Sequence, residues 1–282
     1  MTLHMSRAAE MAVDLMGRGV AVAEVSSTRN LRWANSALTT NGDTVDQSLA
    51  LAAFVPVGDG TASGVASGQV RSEDDVRALV AKAQASARAA GAAQDAADLV
   101  AGPVHSAFHD EPDTVDTAGL AVTAPALRAA MSDPSLQYFG YAEESRDTMY
   151  VATSAGTRLR YVDRVARFEL CAKTPDRTRS AWSGQSGTSL ADVHVDAHAA
   201  TVRQGVEHQR TVMDIDPGQH PVTLSPSAFA DLMIYLLWMS AAREAHEGRS
   251  VFSNPLGGTR IGERLTPRSL SIATDRSEEH TS

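Results

Sequence analysis

The sequence predicts an α+β protein, with antiparallel sheets and packed helices in its N-terminal part, followed by the incomplete start of a mostly β C-terminal domain. Two observations carry this. Alternating or apolar runs bounded by Gly, Asn and Asp clusters recur between residues 19 and 70 and again between 136 and 183, the pattern of strands joined by turns. Helix-period stretches with their own start and stop chemistry follow each group of runs, and 43% hydrophobic content over 282 residues suffices for a real core.

In chain order, residues 5–18 read as a short helix and 19–26, 30–40, 44–57 and 61–70 as a meander of strands, with turns expected at Asn41-Gly42-Asp43 and Gly58-Asp59-Gly60. Ser72 followed three residues later by Asp75 resembles a capping box. The helix it opens places Val76, Leu79, Val80, Ala83 and Ala87 on one face and ends at Gly91. That face is expected to pack on the meander. Residues 91–117 are rich in Ala, Gly, Asp and Pro with little periodicity, which suits a linker or an irregular surface excursion. A helix at 124–131 precedes strands at 136–143, 148–154, 157–172 and 177–183, and another helix starts at Asp196 as its cap and runs to about His208. A short strand, 221–224, leads to Ser225-Pro226 and a long apolar helix, Pro being well tolerated in a first turn. No internal repeat of fixed period is visible. The expected domains are 1–100, 101–218 and a truncated 219–275.

Composition removes several function classes. A net charge of −9 argues against a nucleic-acid footprint, which needs clustered Lys and Arg. The apolar run 228–242 contains Asp231 and falls short of the roughly 20 residues of a membrane span. Glu10 and Asp14 interrupt the first helix, so it does not read as a signal peptide. Cys171, the single cysteine, excludes an intrachain disulfide and fits a reducing, cytoplasmic compartment.

Chemistry-bearing patterns are weak. His105 and His109, and likewise His194 and His198, stand four apart, a spacing that grips zinc on a helix, but the first pair lies in an irregular stretch without the Glu of a zincin and the second is split by the expected cap Asp196. His246-Glu247 is followed by Gly248, with Ser250 where a second His belongs. Gly184-Gln185-Ser186-Gly187 lacks nucleophile-elbow spacing, and Gly58-x-Gly60-x-x-x-Gly64 has no Lys-Ser/Thr after it. Cys171 reads as a packed thiol.

Three segments together are similar to the TldD/PmbA family, and to its TldE branch. They are Arg29-Asn30-Leu31-Arg32-Trp33-Ala34-Asn35-Ser36 with Gly64-Val65-Ala66-Ser67; Arg179-Ser180-Ala181-Trp182-Ser183-Gly184; and Pro221 to Pro226 with the apolar helix and Gly248-Arg249-Ser250-Val251-Phe252-Ser253. The resemblance implies that active members carry a His-Glu-x-x-x-His zinc motif on that helix. Here its positions fall on Met233, Ile234 and Trp238, none able to bind zinc or move a proton. The chain is then expected to lack catalytic, metal and cofactor residues of its own. It would serve as the non-zinc subunit of a cytoplasmic TldD–TldE peptidase, beside a zinc-bearing subunit and around unfolded or extended peptides. The alternatives are a self-sufficient metal hydrolase built on His105, His109, His194 and His198, or a peptide-binding module without peptidase role. Family members continue beyond Asp275, whereas Arg276 to Ser282 resembles the translation of a sequencing adapter, so the third domain is expected to be cut short.

Overall fold

The structure, a computed structural model, describes residues 3–93, 96–267 and 272. It divides between Met213 and Asp214 into two compact units.

The first unit is built on a six-stranded antiparallel sheet. Helix α1 (Met5–Met16) precedes strands β1 (Gly19–Ala34), β2 (Ala37–Val57) and β3 (Gly60–Gln69), and α2 (Glu73–Ala90) follows them. A 3-10 turn at Ser106–His109 leads to α3 (Ala118–Ala130), then β4 (Gln137–Thr153), β5 (Arg158–Lys173), β6 (Ser180–Gly187) and α4 (Val195–His208). The strands lie in the order β3-β2-β1-β4-β5-β6, so β1 and β4 pair at the centre. Residues 1–100 and 101–218, expected as separate domains, therefore contribute strands to one continuous sheet.

This order also reveals a repeat that the sequence hides. Helix, three strands, helix occurs twice, and the two copies meet first strand to first strand, antiparallel, at the β1–β4 seam. In α2 the buried residues are Val76, Val80, Ala83 and Ala87, and in α4 they are Val195, Ala199, Val202 and Val206, each 119 positions later. Buried Leu49, Leu51 and Ala53 of β2 correspond at the same offset to Phe168, Leu170 and Ala172 of β5. Packing preserves which positions point inward without preserving the residues, so matching letters does not find it.

Both helix pairs cover the same face of the sheet. One cluster joins α1 and α2 to Ala21, Ala23, Val25, Leu49, Leu51, Tyr150 and Ala152. The other joins α3 and α4 to Leu31, Trp33, Tyr138, Ala142, Phe168 and Leu170. Along β1 every inward residue is odd-numbered, and its β4 partners in register are even-numbered, as the two-residue period of a strand requires. The alternate residues point to the face that carries no helix of this unit.

Several local expectations hold. Ser72 and Asp75 form the capping box, Asp75 accepting from the Ser72 N–H at 2.9 Å and the Ser72 hydroxyl accepting from the Asp75 N–H at 3.3 Å. The 76–87 face packs on β2 and β3, with Leu79 partly buried at its margin. Others are corrected. Asn41-Gly42-Asp43 is not a turn: it lies within β2, Gly42 opposite Asn30. The chain reverses instead at Asn35 and Ser36, with φ 50° and 59°. A two-residue type I′ hairpin needs positive φ at both central positions, which Asn tolerates better than most residues. The strands expected at 136–143 and 148–154 are one, because the charged residues between them pair: Arg146 donates to Glu144 at 2.6 Å on the helix side. The fourth helix is capped at His194 rather than Asp196, which sits in its first turn.

The second unit contains α5 (Pro226–Met239) and α6 (Ala242–His246). Ser225 caps α5, its hydroxyl accepting from the Ala228 N–H at 3.3 Å. The expected strand at 221–224 is absent, and beyond one isolated bridge, Ser253 with Thr259, no β structure occurs in the described residues of this unit. The long apolar helix ends early, at Ser240, whose hydroxyl donates to the Leu237 carbonyl at 2.6 Å. Not one residue of α5 is buried. Among the described residues no helix is long and apolar enough to cross a membrane. Residues 276–282 lie outside the described residues.

Candidate functional site

The helix-free face of the sheet is the most extensive feature that packing leaves without an explanation. Cross-strand register arranges it in rows. Ala50, Val22, Val151 and Leu159 follow one another across β2, β1, β4 and β5, and the next row is Ser48, Glu24, Met149 and Tyr161. Then come Asp46, Ser26, Asp147 and Asp163. Tyr161 is 41% exposed and Val65 on β3 is 69% exposed, while Val22, Met149, Val151 and Leu159 are half-buried. Asp147 accepts from the hydroxyls of Ser26 at 2.5 Å and Ser145 at 3.3 Å. It stands directly opposite Asp163, an arrangement of like charges that weakens a sheet unless something outside it compensates.

At the other end of the same face Glu169 gathers two aromatic donors. The Tyr141 hydroxyl donates to one of its oxygens at 3.1 Å and the Trp182 indole N–H to the other at 3.3 Å. Burial, then the bond to Glu169, pushes the Tyr141 phenol up, so it stays a neutral donor. Lys173 lies over the Phe139 ring at 5.1 Å. Cys171 pairs in register with Trp182, and burial raises its thiol, which agrees with a packed, unreactive cysteine.

The histidines are spent on separate tasks. His105 precedes the 3-10 turn and donates from Nδ1 to the Arg160 carbonyl at 3.4 Å. His109 ends that turn and contacts the Ser6 hydroxyl at 3.1 Å. His194 caps α4 without a side-chain bond and is exposed. His198 faces β6: Gln185 donates its amide to the Asp192 carbonyl at 3.3 Å, which turns its oxygen to His198 Nε2 at 3.2 Å. Nε2 is therefore the protonated nitrogen, and Nδ1 accepts from the Ser183 hydroxyl at 2.8 Å. Burial, then His194, lowers the His198 pKa and keeps the ring neutral. The Ser183–His198 pair resembles a nucleophile and base, but its third member is a neutral amide that cannot stabilise an imidazolium as a carboxylate does. Its evident work is to fasten α4 to the edge strand. No group of three or more His, Cys, Asp or Glu that could hold a metal occurs among the described residues.

On α5, Met233 is half-buried, Ile234 is 45% exposed and Trp238 is 63% exposed. A thioether, an alkyl chain and an indole offer no ligand set for zinc, so the residues present do not fit that metal. His246 ends α6, and Glu247 beyond it is engaged by Arg243 and Arg249, the Arg243 bond being the main cause of its lowered pKa. The sequence reading missed the open sheet face. Its signal is the run Val20-Ala21-Val22-Ala23, apolar on both alternating sets, which marks a strand with neither side plainly facing water.

No family model and no curated protein sequence matches the chain. Solved structures do. A candidate modulator of DNA gyrase from Thermotoga maritima superposes with a TM-score of 0.67 at 15% identity, over 89% of this chain and 58% of its own. A second such modulator, from Bacteroides thetaiotaomicron, gives 0.64 at 13% identity, over 88% and 60%. TldE from Thermococcus kodakarensis gives 0.55 at 10% identity, over 73% and 47%. The chain thus spans about half to three-fifths of the length of these structures. The chain therefore has the α+β fold of TldE and the gyrase-modulator structures, the fold that its sequence resemblance to the TldD/PmbA family implies.

Proposed function

We propose that this chain is a TldE-branch member of the TldD/PmbA family. It acts as the non-zinc subunit of a cytoplasmic TldD–TldE-type peptidase complex, supplying scaffold and substrate surface while a zinc-bearing subunit carries the chemistry. The reading is carried by α5, whose Met233, Ile234 and Trp238, at the positions that the family resemblance assigns to two zinc ligands and a general base, offer no metal ligand. The likeness in fold to TldE supports it, as does the exposed apolar surface of α5 (Phe229, Leu232, Tyr235 and Trp238), which suits contact with further protein. Edge-strand pairing is a physically cheap way to hold an extended peptide on such a subunit, because main-chain hydrogen bonds give the affinity while side chains set the preference.

The test is co-expression with a homologue bearing His-Glu-x-x-x-His, followed by affinity purification and metal analysis. The expected result is a complex whose zinc belongs to the homologue, with no stoichiometric zinc in this chain alone. Stoichiometric zinc in the isolated chain, lost in a His194→Ala/His198→Ala variant, would reverse the assignment in favour of a self-sufficient metal hydrolase.

A further inference from the structure

We infer that the open sheet face is selective: its β1–β4–β5 portion docks cationic segments in which Lys or Arg alternates with apolar residues. This rests on the proposal that an extended peptide meets this subunit, and it names the class of peptide. Over the three rows from Val22 to Asp163, every formal charge on the face is negative: Glu24, Asp46, Asp147 and Asp163. The uncharged large side chains beside them, Val22, Met149, Val151, Leu159 and Tyr161, are apolar or aromatic. The basic residues of the face, Arg32, Arg167 and Lys173, stand in other rows, towards the Tyr141–Glu169–Trp182 end, so they do not neutralise this patch.

Complementarity selects the occupant. A second copy docked face to face about a two-fold axis would set the aspartate row against itself, and like-charge juxtaposition costs several kcal/mol. An acidic or purely apolar segment leaves Asp147 and Asp163 opposite each other with no counter-charge. A segment alternating Lys or Arg with Val or Leu places ammonium or guanidinium groups over the aspartates and alkyl groups over Val22, Val151 and Leu159. The geometry matches as well, since extended chains and strands share the same two-residue alternation. Beside the patch, β5 has no paired strand between the bridge at Arg158 and the start of β6 pairing at Ala166, and His105 meets its edge at the Arg160 carbonyl.

The experiment titrates the full chain with three labelled peptides of equal length, alternating Lys-Val, Glu-Val and Lys-Ser, and follows fluorescence anisotropy at low and high salt. Lys-Val is expected to bind most tightly and to weaken with salt. An Asp147→Asn/Asp163→Asn variant, which keeps one side-chain oxygen at position 147 to accept from Ser26, is expected to weaken it about tenfold or more. A Leu159→Thr/Tyr161→Ser variant should narrow the gap between Lys-Val and Lys-Ser. Equal binding of Glu-Val, or unchanged Lys-Val binding by the double Asn variant, overturns the inference. Failure here with the zinc-bearing partner still retained removes only the peptide class. Charge-dependent Lys-Val binding without that partner removes only the subunit assignment.

Discussion

Replacing Gly64 by Ala tests whether the closeness of β3 to α2 is a condition of the fold. A Cβ on Gly64 would fall on the Ala83 carbonyl oxygen and the Ala87 amide nitrogen of α2, and these are backbone atoms that no rotamer change can move aside. The helix must shift as a body, loosening buried Val76, Val80, Ala83 and Ala87 together. Overpacking a well-filled core costs about 1–3 kcal/mol, and a clash with backbone on two sides places this change at the upper end, about 3 kcal/mol. The matched control is Gly68→Ala on the same strand, where the nearest atom is the flexible Leu79 Cδ2 at 3.4 Å. Its expected cost is under about 1 kcal/mol, because an end methyl can yield. Urea unfolding of both variants, followed by tryptophan fluorescence, should show the midpoint of Gly64→Ala falling well below that of Gly68→Ala with the slope unchanged. Equal midpoints would mean that α2 rides on the sheet loosely, and the packing argument would fail.

Two other perturbations probe the interior. Glu144 is 4% exposed, pairs with Arg146 and accepts from the Leu190 N–H at 2.8 Å. Glu144→Ala strands both partners and is expected to cost about 3 kcal/mol, since breaking a buried pair leaves a charge uncompensated; a loss below about 1 kcal/mol by the same urea assay would contradict this. His198 has its pKa lowered by burial and then by His194, so the folded state binds its proton less readily than the unfolded chain. Its contribution to stability is complete above the unfolded value near 6.5 and is lost as pH falls through the folded one. The melting temperature should therefore drop more steeply between pH 7 and 5 in the parent than in His198→Asn, and parallel curves would show that the ring titrates as in the unfolded chain.

Much of the local structure was legible because it depends on neighbours in sequence. The Ser72–Asp75 box, the Val76-to-Ala87 stripe and the Ser225-Pro226 start are decided within one or two turns of chain. The Asn35-Ser36 reversal was hidden because Asn41-Gly42-Asp43 has stronger turn chemistry; pairing along the whole length of β1 and β2 outweighs it. The His194–His198 spacing read as that of ordinary helix-end histidines more than as a metal pair, and the structure engages His198 with Ser183 and Gln185 on another element, a contact no local pattern encodes. The aspartate row was equally out of reach, since Asp46, Asp147 and Asp163 lie on three strands and meet only through the order of the sheet.

By itself, the sequence determined the fold class, most of the helices and the absence of zinc-binding side chains at Met233, Ile234 and Trp238, all properties of residue type and short-range period. Tertiary structure alone decided that two expected domains share one sheet, that the first unit is a hidden duplication and that one face of its sheet carries no helix of that unit. Those outcomes depend on which strands pair across a hundred residues, and a hydrogen-bonded register carries no signature in either strand alone.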